Sequence, residues 1–306
     1  MSLEALNKRI KTTTDLREIV STMKILSSVS IGPYEKALES LTAYAKTVKD
    51  AFWGVVLNDA LQKPYQKSDS NRILAVLIGT DNGLVGKFNR DVFSYAKHYF
   101  QEQGIPLQTV EYVCIGKRLG AITQNAVGDK LHGTFAISNS LKEIASIASS
   151  VLIKINEILS HKETTKVLVF HNHRPNGQTQ TPTMAQLMPL PYEELLKLKK
   201  QKWTGKSFPM IPEDRHGMVL GLVHEYLTVI LSGGLTASLA AEHYARMVNM
   251  QQAEKNIDKS LEDMNLAYQQ ARQTQITDEL IDIVSGAEAM KPKKKQDSFM
   301  TNSLKA

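Results

Sequence analysis

Between Pro212 and Pro292 the chain contains no proline. Within that span Leu235, Leu239, Met247, Met250, Ile257, Leu261, Met264, Tyr268 and Ala271 keep close to alternating four- and three-residue steps. That spacing is the seam of a helix that packs along another helix. It predicts helix from about residue 218 to 288. At a rise of ~1.5 Å per residue, the stretch 235–288 alone would span roughly 80 Å. No globular core needs so long a helix, so it must lie against a second long one.

The other end of the chain offers that partner. Over about 3–57, Leu3, Leu6, Ile10, Val20, Met23, Leu26 and Val29 recur at three- and four-residue steps, with Thr13 and Arg17 interrupting the stripe. Lys8, Arg9, Lys11, Asp15 and Glu18 fill the polar positions. Gly32-Pro33 predicts a kink or a break, because proline removes a helix hydrogen bond and clashes with the preceding turn. The pattern resumes with Tyr34, Ala37, Leu38, Leu41, Ala45 and Val48.

Between the two ends the period changes. Residues 60–71 read as a polar linker. Arg72–Gly79 is an apolar run that reads as a buried strand, followed by the turn GTDNGLVG at 79–86 and a helix over Asn89–Gln103 with Val92, Phe93, Ala96 and Phe100 on one face,. Val110–Ile115 and Lys166–Phe170 read as further strands, 139–159 as helix, and 183–190 as an edge strand ended by Pro189,. Residues 191–216 show no clear period. Strands alternating with helices predict a mostly parallel, Rossmann-like sheet. The α/β region falls between the long helices in sequence, so those helices would run antiparallel.

Composition narrows the class. The chain is 42% hydrophobic and 22% charged, which supplies a packed core and excludes wholesale disorder,. One cysteine, Cys114, allows no disulfide within the chain and fits a reducing cytoplasmic setting,. The first residues lack the apolar core of a signal peptide. No apolar run approaches the ~18 residues that span a bilayer, so work at a membrane would be done without lipid insertion. The net charge of +6 draws on Lys291, Lys293, Lys294 and Lys295. Without interleaved aromatics it reads as a solvated face and not as a nucleic-acid surface.

Few residues offer chemistry. The glycine turn lacks the Gly-Lys-Ser/Thr ending of a phosphate loop and the Gly-x-Gly-x-x-Gly order, so Gly83 and Gly86 read as aids to a tight strand-to-helix turn,. His171 and His173 alternate at a strand end and could face one side. Two histidines are too few for a structural metal site, and no partner carboxylate or cysteine is evident. His243 reads as a packed histidine and Cys114 as a small buried hydrophobe. Ser232-Gly233-Gly234 near His224 is not a nucleophile elbow. These residues give no catalytic, cofactor or metal assignment. An α/β protein binding a nucleotide or small molecule, with coiled-coil extensions, remains the alternative; it predicts a pocket at the carboxyl ends of the strands. A free-standing coiled-coil adaptor for nucleic acid is a third reading.

Four stretches carry a resemblance. RIKTTTDLREIVSTMKILSS, TDNGLVGKFN (80–89), EHYARMVNMQQAEKN (242–256) and ARQTQITDELIDIVSGAEA (271–289) are similar, in order, to motifs of the gamma subunits of rotary F-type ATP synthases. MKILSSVSIGPYEKALESLTAY resembles the alternate, N-type branch of that family, which raises Na⁺ beside H⁺ as the transported ion. The resemblance implies α/β structure plus long helices: an antiparallel two-helix coiled coil from both ends, with a central Rossmann-like domain. It divides the chain into an N-terminal shaft helix (1–57), an α/β domain (72–216), a C-terminal shaft helix (217–290) and a flexible basic tail (291–306). It implies a non-catalytic rotor of the central stalk, at the cytoplasmic side of the cell membrane and without a cofactor. Its expected partners are alpha and beta subunits of a catalytic hexamer, epsilon and a ring of c subunits. Carried over residue by residue, Arg9, Met23, Lys24, Arg272, Gln273 and Thr277 match positions that face beta. Departures are Val85 for the usual Cys, Ala241 for the usual Ser, and Asn249, Gln251 and Gln252 at common Ala and Asp/Asn positions.

Overall fold

The computed structural model describes residues 2–57, 72–161, 166–177, 179–190 and 215–290. The linker read at 60–71, all but the last two residues of the unpatterned stretch 191–216, and the basic tail at 291–306 lie outside the described residues. The chain begins with helix α1, Leu3–Leu57, and ends with helix α5, Arg215–Ala289, of 75 residues. Between them run β1 (Ile73–Ile78), α2 (Phe88–Glu102), β2 (Val110–Ile115), α3 (Lys117–Val127), β3 (Leu131–Phe135), α4 (Ile144–His161), β4 (Lys166–His173) and β5 (Thr181–Met188).

The five strands form one sheet in the order β3-β2-β1-β4-β5. All neighbours are parallel except β5, which closes the β4 edge antiparallel. Strand periodicity of two divides the core. Leu74, Val76 and Ile78 of β1 face α4, Tyr34 of α1, and Leu231, Leu235 and Leu239 of α5. Ile73, Ala75 and Leu77 face the other way, onto Val92, Ala96 and Phe100 of α2 and Leu119 of α3. Both faces are covered, which is why β1 and β2 are buried at every position and read as unbroken apolar runs,.

Several expectations change. α1 runs through Pro33 without a break. Gly32 and Pro33 sit on an exposed face, where the carbonyl that proline leaves without a donor can be hydrated,. The stripe on α1 is also displaced. Thr13 and Arg17 belong to the partly buried seam, whereas Leu26 and Val29 are exposed by 62% and 70%. The apolar letters drift three residues at a time off a seam whose repeat is 3.5. α3 and β3 add a βα unit that the apolar pattern does not show. Finally, α5 holds a stretch long and apolar enough, by length and composition, to cross a bilayer. Part of it packs inward: Leu227, Ile230, Leu231 and Leu235 lie against the sheet, and Leu222, Val223, Tyr226 and Val229 against Val48, Phe52 and Trp53 of α1.

The described residues cluster into two units: Val20–Gln252, containing the sheet, and a second formed by those up to Ile19 and from Ala253 onward.

Candidate functional site

The glycine turn is tied down by its own polar groups. Asn89 Oδ1 accepts from the Thr80 N–H at 2.9 Å, and Asn89 Nδ2 donates to Thr80 Oγ1 at 2.9 Å. Asp81 caps the start of α3, accepting from the Lys117 N–H at 2.7 Å, and its other oxygen accepts from the Ile137 N–H at 3.2 Å,. Asn172 at the end of β4 donates to the Phe88 carbonyl at 3.1 Å. These bonds hold the turn against α2, α3 and β4. Strand order reverses between β1 and β4, and there Asn172 ties the end of β4 to the start of α2,.

The turn's purpose is to grip α5. Val85 and Phe88 pack with Ala241 and Ala245 in one small apolar cluster. Gly86, at φ +61°, leaves room for Asn249, whose amide would lie 3.0 Å from an added Cβ. Three of the departures from the family pattern, Val85, Ala241 and Asn249, thus fall at one joint. An exchange of Cys and Ser for Val and Ala there makes an apolar contact of matched partners. Leu84, also at positive φ (64°), projects from the turn with half its surface exposed.

Beside this joint α5 meets α1. His243 stacks on Tyr34 with ring centroids 5.3 Å apart, and Tyr34 donates to the Asn139 carbonyl. Burial holds the His243 imidazole neutral, with its pKa down to about 4,. Glu242 is buried with Arg246, which donates to one of its oxygens. Burial raises the Glu242 pKa and the Arg246 charge opposes that rise. Further along, Tyr44 donates to Glu225 at 2.8 Å and Phe52 meets Tyr226 edge-on. Later residues of α1 pair with earlier residues of α5, so the two helices run antiparallel.

In the other unit the helices follow a narrow seam. Leu3, Leu6, Ile10, Thr13 and Arg17 of α1 are wholly or partly buried, as are Ile257, Leu261, Met264, Tyr268 and Ala271 of α5, while most positions between are exposed. Arg17 pairs with Asp258. With those two side by side in an antiparallel pair, Leu3 falls opposite about residue 272. From Arg272 to Glu288 every described position is exposed, and Ile276, Leu280, Ile281, Ile283 and Val284 each leave roughly half to two thirds of their surface bare. Among the described residues none covers this apolar helical tip, and an exposed apolar patch of this kind is suited to contact with another molecule,.

Arg272, Gln273 and Thr277 lie on this bare tip; Thr277 Oγ1 donates to the Gln273 carbonyl at 2.9 Å. Arg9 is exposed on α1, and Met23 and Lys24 are half-buried. Met23 and Lys24 belong to Val20–Gln252, and Arg9, Arg272, Gln273 and Thr277 to the other unit. The joint at Val85, Ala241 and Asn249 was missed by sequence reasoning, although the substitutions themselves were visible.

A family model described as ATP synthase matches residues 2–290. The chain is 25% identical over 305 residues to an ATP synthase gamma chain of Bdellovibrio bacteriovorus, covering 95% of this chain and 99% of that one. It is 27% identical over 294 residues to an ATP synthase gamma chain of Geobacter metallireducens, with the same coverage. Its fold is similar to a chain in the OSCP/F1/c-ring structure of Euglena gracilis mitochondrial ATP synthase, at a TM-score of 0.64 and 17% identity over 99% of both chains. A rotor structure from the same organism matches at 0.60 and 15%, over 90% of this chain and 98% of that one.

Proposed function

We propose a working mechanism from one premise: this chain belongs to the ATP synthase family. It is a gamma subunit, the non-catalytic rotor of the central stalk, which couples ion flow through the membrane sector to ATP synthesis or hydrolysis in the alpha/beta hexamer. The observation that carries the mechanism is the bare apolar tip of α5 beyond Ala271. Apolar contact is non-directional, so a tip held by it in a ring of surrounding subunits can turn without breaking specific bonds. The narrow seam behind the tip supplies stiffness through continuous helix pairing, and the sheet with its glycine turn clamps the base of α5.

The domain division follows the same logic: 1–57 and 217–290 are shaft helices, and the sheet-bearing residues between them form the α/β domain. The partners are the alpha and beta subunits, epsilon and the ring of c subunits. The subunit is a peripheral part of a membrane-associated complex, and we assign it to the cytoplasmic side of the cell membrane. Arg9, Met23, Lys24, Arg272, Gln273 and Thr277 are its contacts with beta. Met23 is a neutral side chain where a cation would form an ion pair with beta's acidic surface and hold rotation at one angle.

The test is reconstitution. Alpha and beta purified with this chain should show ATPase activity that depends on it, and turnover of a substrate by the chain alone would overturn the reading. Met23→Lys should lower the ions pumped per ATP while leaving assembly and fold intact. Unchanged coupling would remove Met23 from the contact set.

A further inference from the structure

Outside the shaft surfaces, one cavity carries chemistry that the rotor role does not use. It holds about 260 Å³ at the carboxyl end of β4, between α1 and α5, and is lined by His171, His173, Glu35, Arg174 and Gly234 among others. His171 and His173 alternate on β4, so both point to the same face of the sheet, with ring centroids 6.3 Å apart,. Gly234 makes the space: a Cβ there would lie 3.3 Å from His171 Cδ2 and 3.6 Å from Nε2.

The hydrogen bonds fix both tautomers. His171 Nδ1 lies 3.0 Å from the Asn172 carbonyl and His173 Nδ1 lies 3.1 Å from the Thr181 carbonyl. A carbonyl only accepts, so each Nδ1 carries a proton, and in the neutral ring the lone pair sits on Nε2. A backbone carbonyl behind one ring nitrogen is the arrangement that orients a metal-binding histidine. The cation in the cavity is matched: Arg174 donates to Glu35 at 2.8 Å and to the Gly177 carbonyl at 2.6 Å, and its guanidinium lies over the Tyr244 ring.

We propose that His171 and His173 form a two-imidazole site for a divalent transition-metal ion, of the Zn²⁺, Ni²⁺ or Cu²⁺ class. Imidazole nitrogens favour these ions over Mg²⁺ and Ca²⁺, which take oxygen donors. Among the described residues no third His, Cys, Asp or Glu joins the pair, so the remaining positions go to water. The site stands independently of the rotor reading.

The test titrates the full chain with Zn²⁺ at pH 7 and follows the imidazole nitrogens of its eight histidines by NMR. The Nε2 signals of His171 and His173 should shift together and saturate at one ion per chain. His173→Ala, at a partly exposed position that should leave the fold intact, should weaken binding roughly tenfold or more. His98→Ala, removing an exposed histidine elsewhere, should change nothing. Zn²⁺ should raise the melting temperature of the parent chain and leave that of His173→Ala unmoved. If the two signals stay fixed while other histidines shift, or if His173→Ala binds as tightly as the parent, the site does not exist.

Discussion

The same two helices are held in two different ways. Within Val20–Gln252, α5 presents a broad apolar face: Leu231, Leu235, Leu239, Ala240 and Ala241 are buried to 3% exposure or less, against a sheet and a turn. Beyond Ala253 it presents a seam one residue wide, from Ile257 to Ala271, whose members stay partly exposed, and then no seam at all. Buried area per turn of helix therefore falls from the sheet to the tip, and the stabilisation from burial falls with it. The proposed rotor role uses this difference: the sheet grips α5, and the exposed tip is left to the surrounding subunits.

The largest effect should come from breaking the broad end. Leu235→Ala removes a side chain with 1% exposure from between the sheet and the helices. It should cost about 2–5 kcal/mol in urea unfolding of the full chain, because the surrounding layers cannot close over the cavity. A loss below 1 kcal/mol would mean that the sheet does not hold α5 as the packing indicates.

A second effect distinguishes the units by pH. His171 and His243 both belong to Val20–Gln252, and burial lowers each pKa from 6.5 to about 4. A depressed folded-state pKa gives stability that is complete above 6.5 and lost as the pH falls toward 4, since only the unfolded chain takes the proton. Between pH 6.5 and 5, His171 alone should withdraw about 2 kcal/mol, with His243 adding in the same direction. Urea midpoints measured across that range should fall, and His243→Gln should flatten the slope. The narrow seam contains no histidine and should contribute no such dependence.

Legibility divides along the same line. The long seam of α5 could be read because nothing but another helix can cover such a repeat, and β1, β2 and β4 because central strands are apolar throughout. β3 could not be read: Leu131–Phe135 is a short edge strand, half-exposed along its length, with Gly133 inside it. α3 carries Gly120, which argues against helix locally but is required because a Cβ would fall 2.6 Å from Thr134,. On α1 the apolar letters pointed to Leu26 and Val29, whereas register selects Thr13 and Arg17; burial there follows the partner's position and not the side chain's polarity. The glycine motif was visible, but its grip on α5 pairs Val85 with Ala241, a contact that exists only in three dimensions.

Met264→Ala tests the stem. The residue is only partly buried, so its loss should cost ~1 kcal/mol, well below Leu235→Ala,. A cost equal to that of Leu235 would show that the seam is as deep as the base and would erase the gradient.

The smallest effect on the free chain is expected at the tip, and it sharpens the comparison most. Leu280 and Ile283 expose 57% and 67% of their surface, beyond the point where α1 can reach them. Replacing both with Asn removes no burial within the chain, so unfolding of the purified subunit should move by no more than about 0.5 kcal/mol. In the assembled ATPase the same variant should lose activity or coupling, because the polar amides would have to give up water wherever the apolar tip is enclosed. If the variant destabilises the free chain instead, the tip packs on its own subunit and is not the bearing surface. If both stability and coupled activity stay unchanged, the apolar tip has no enclosing partner, and torque must be transmitted through the polar positions Arg272, Gln273 and Thr277 alone.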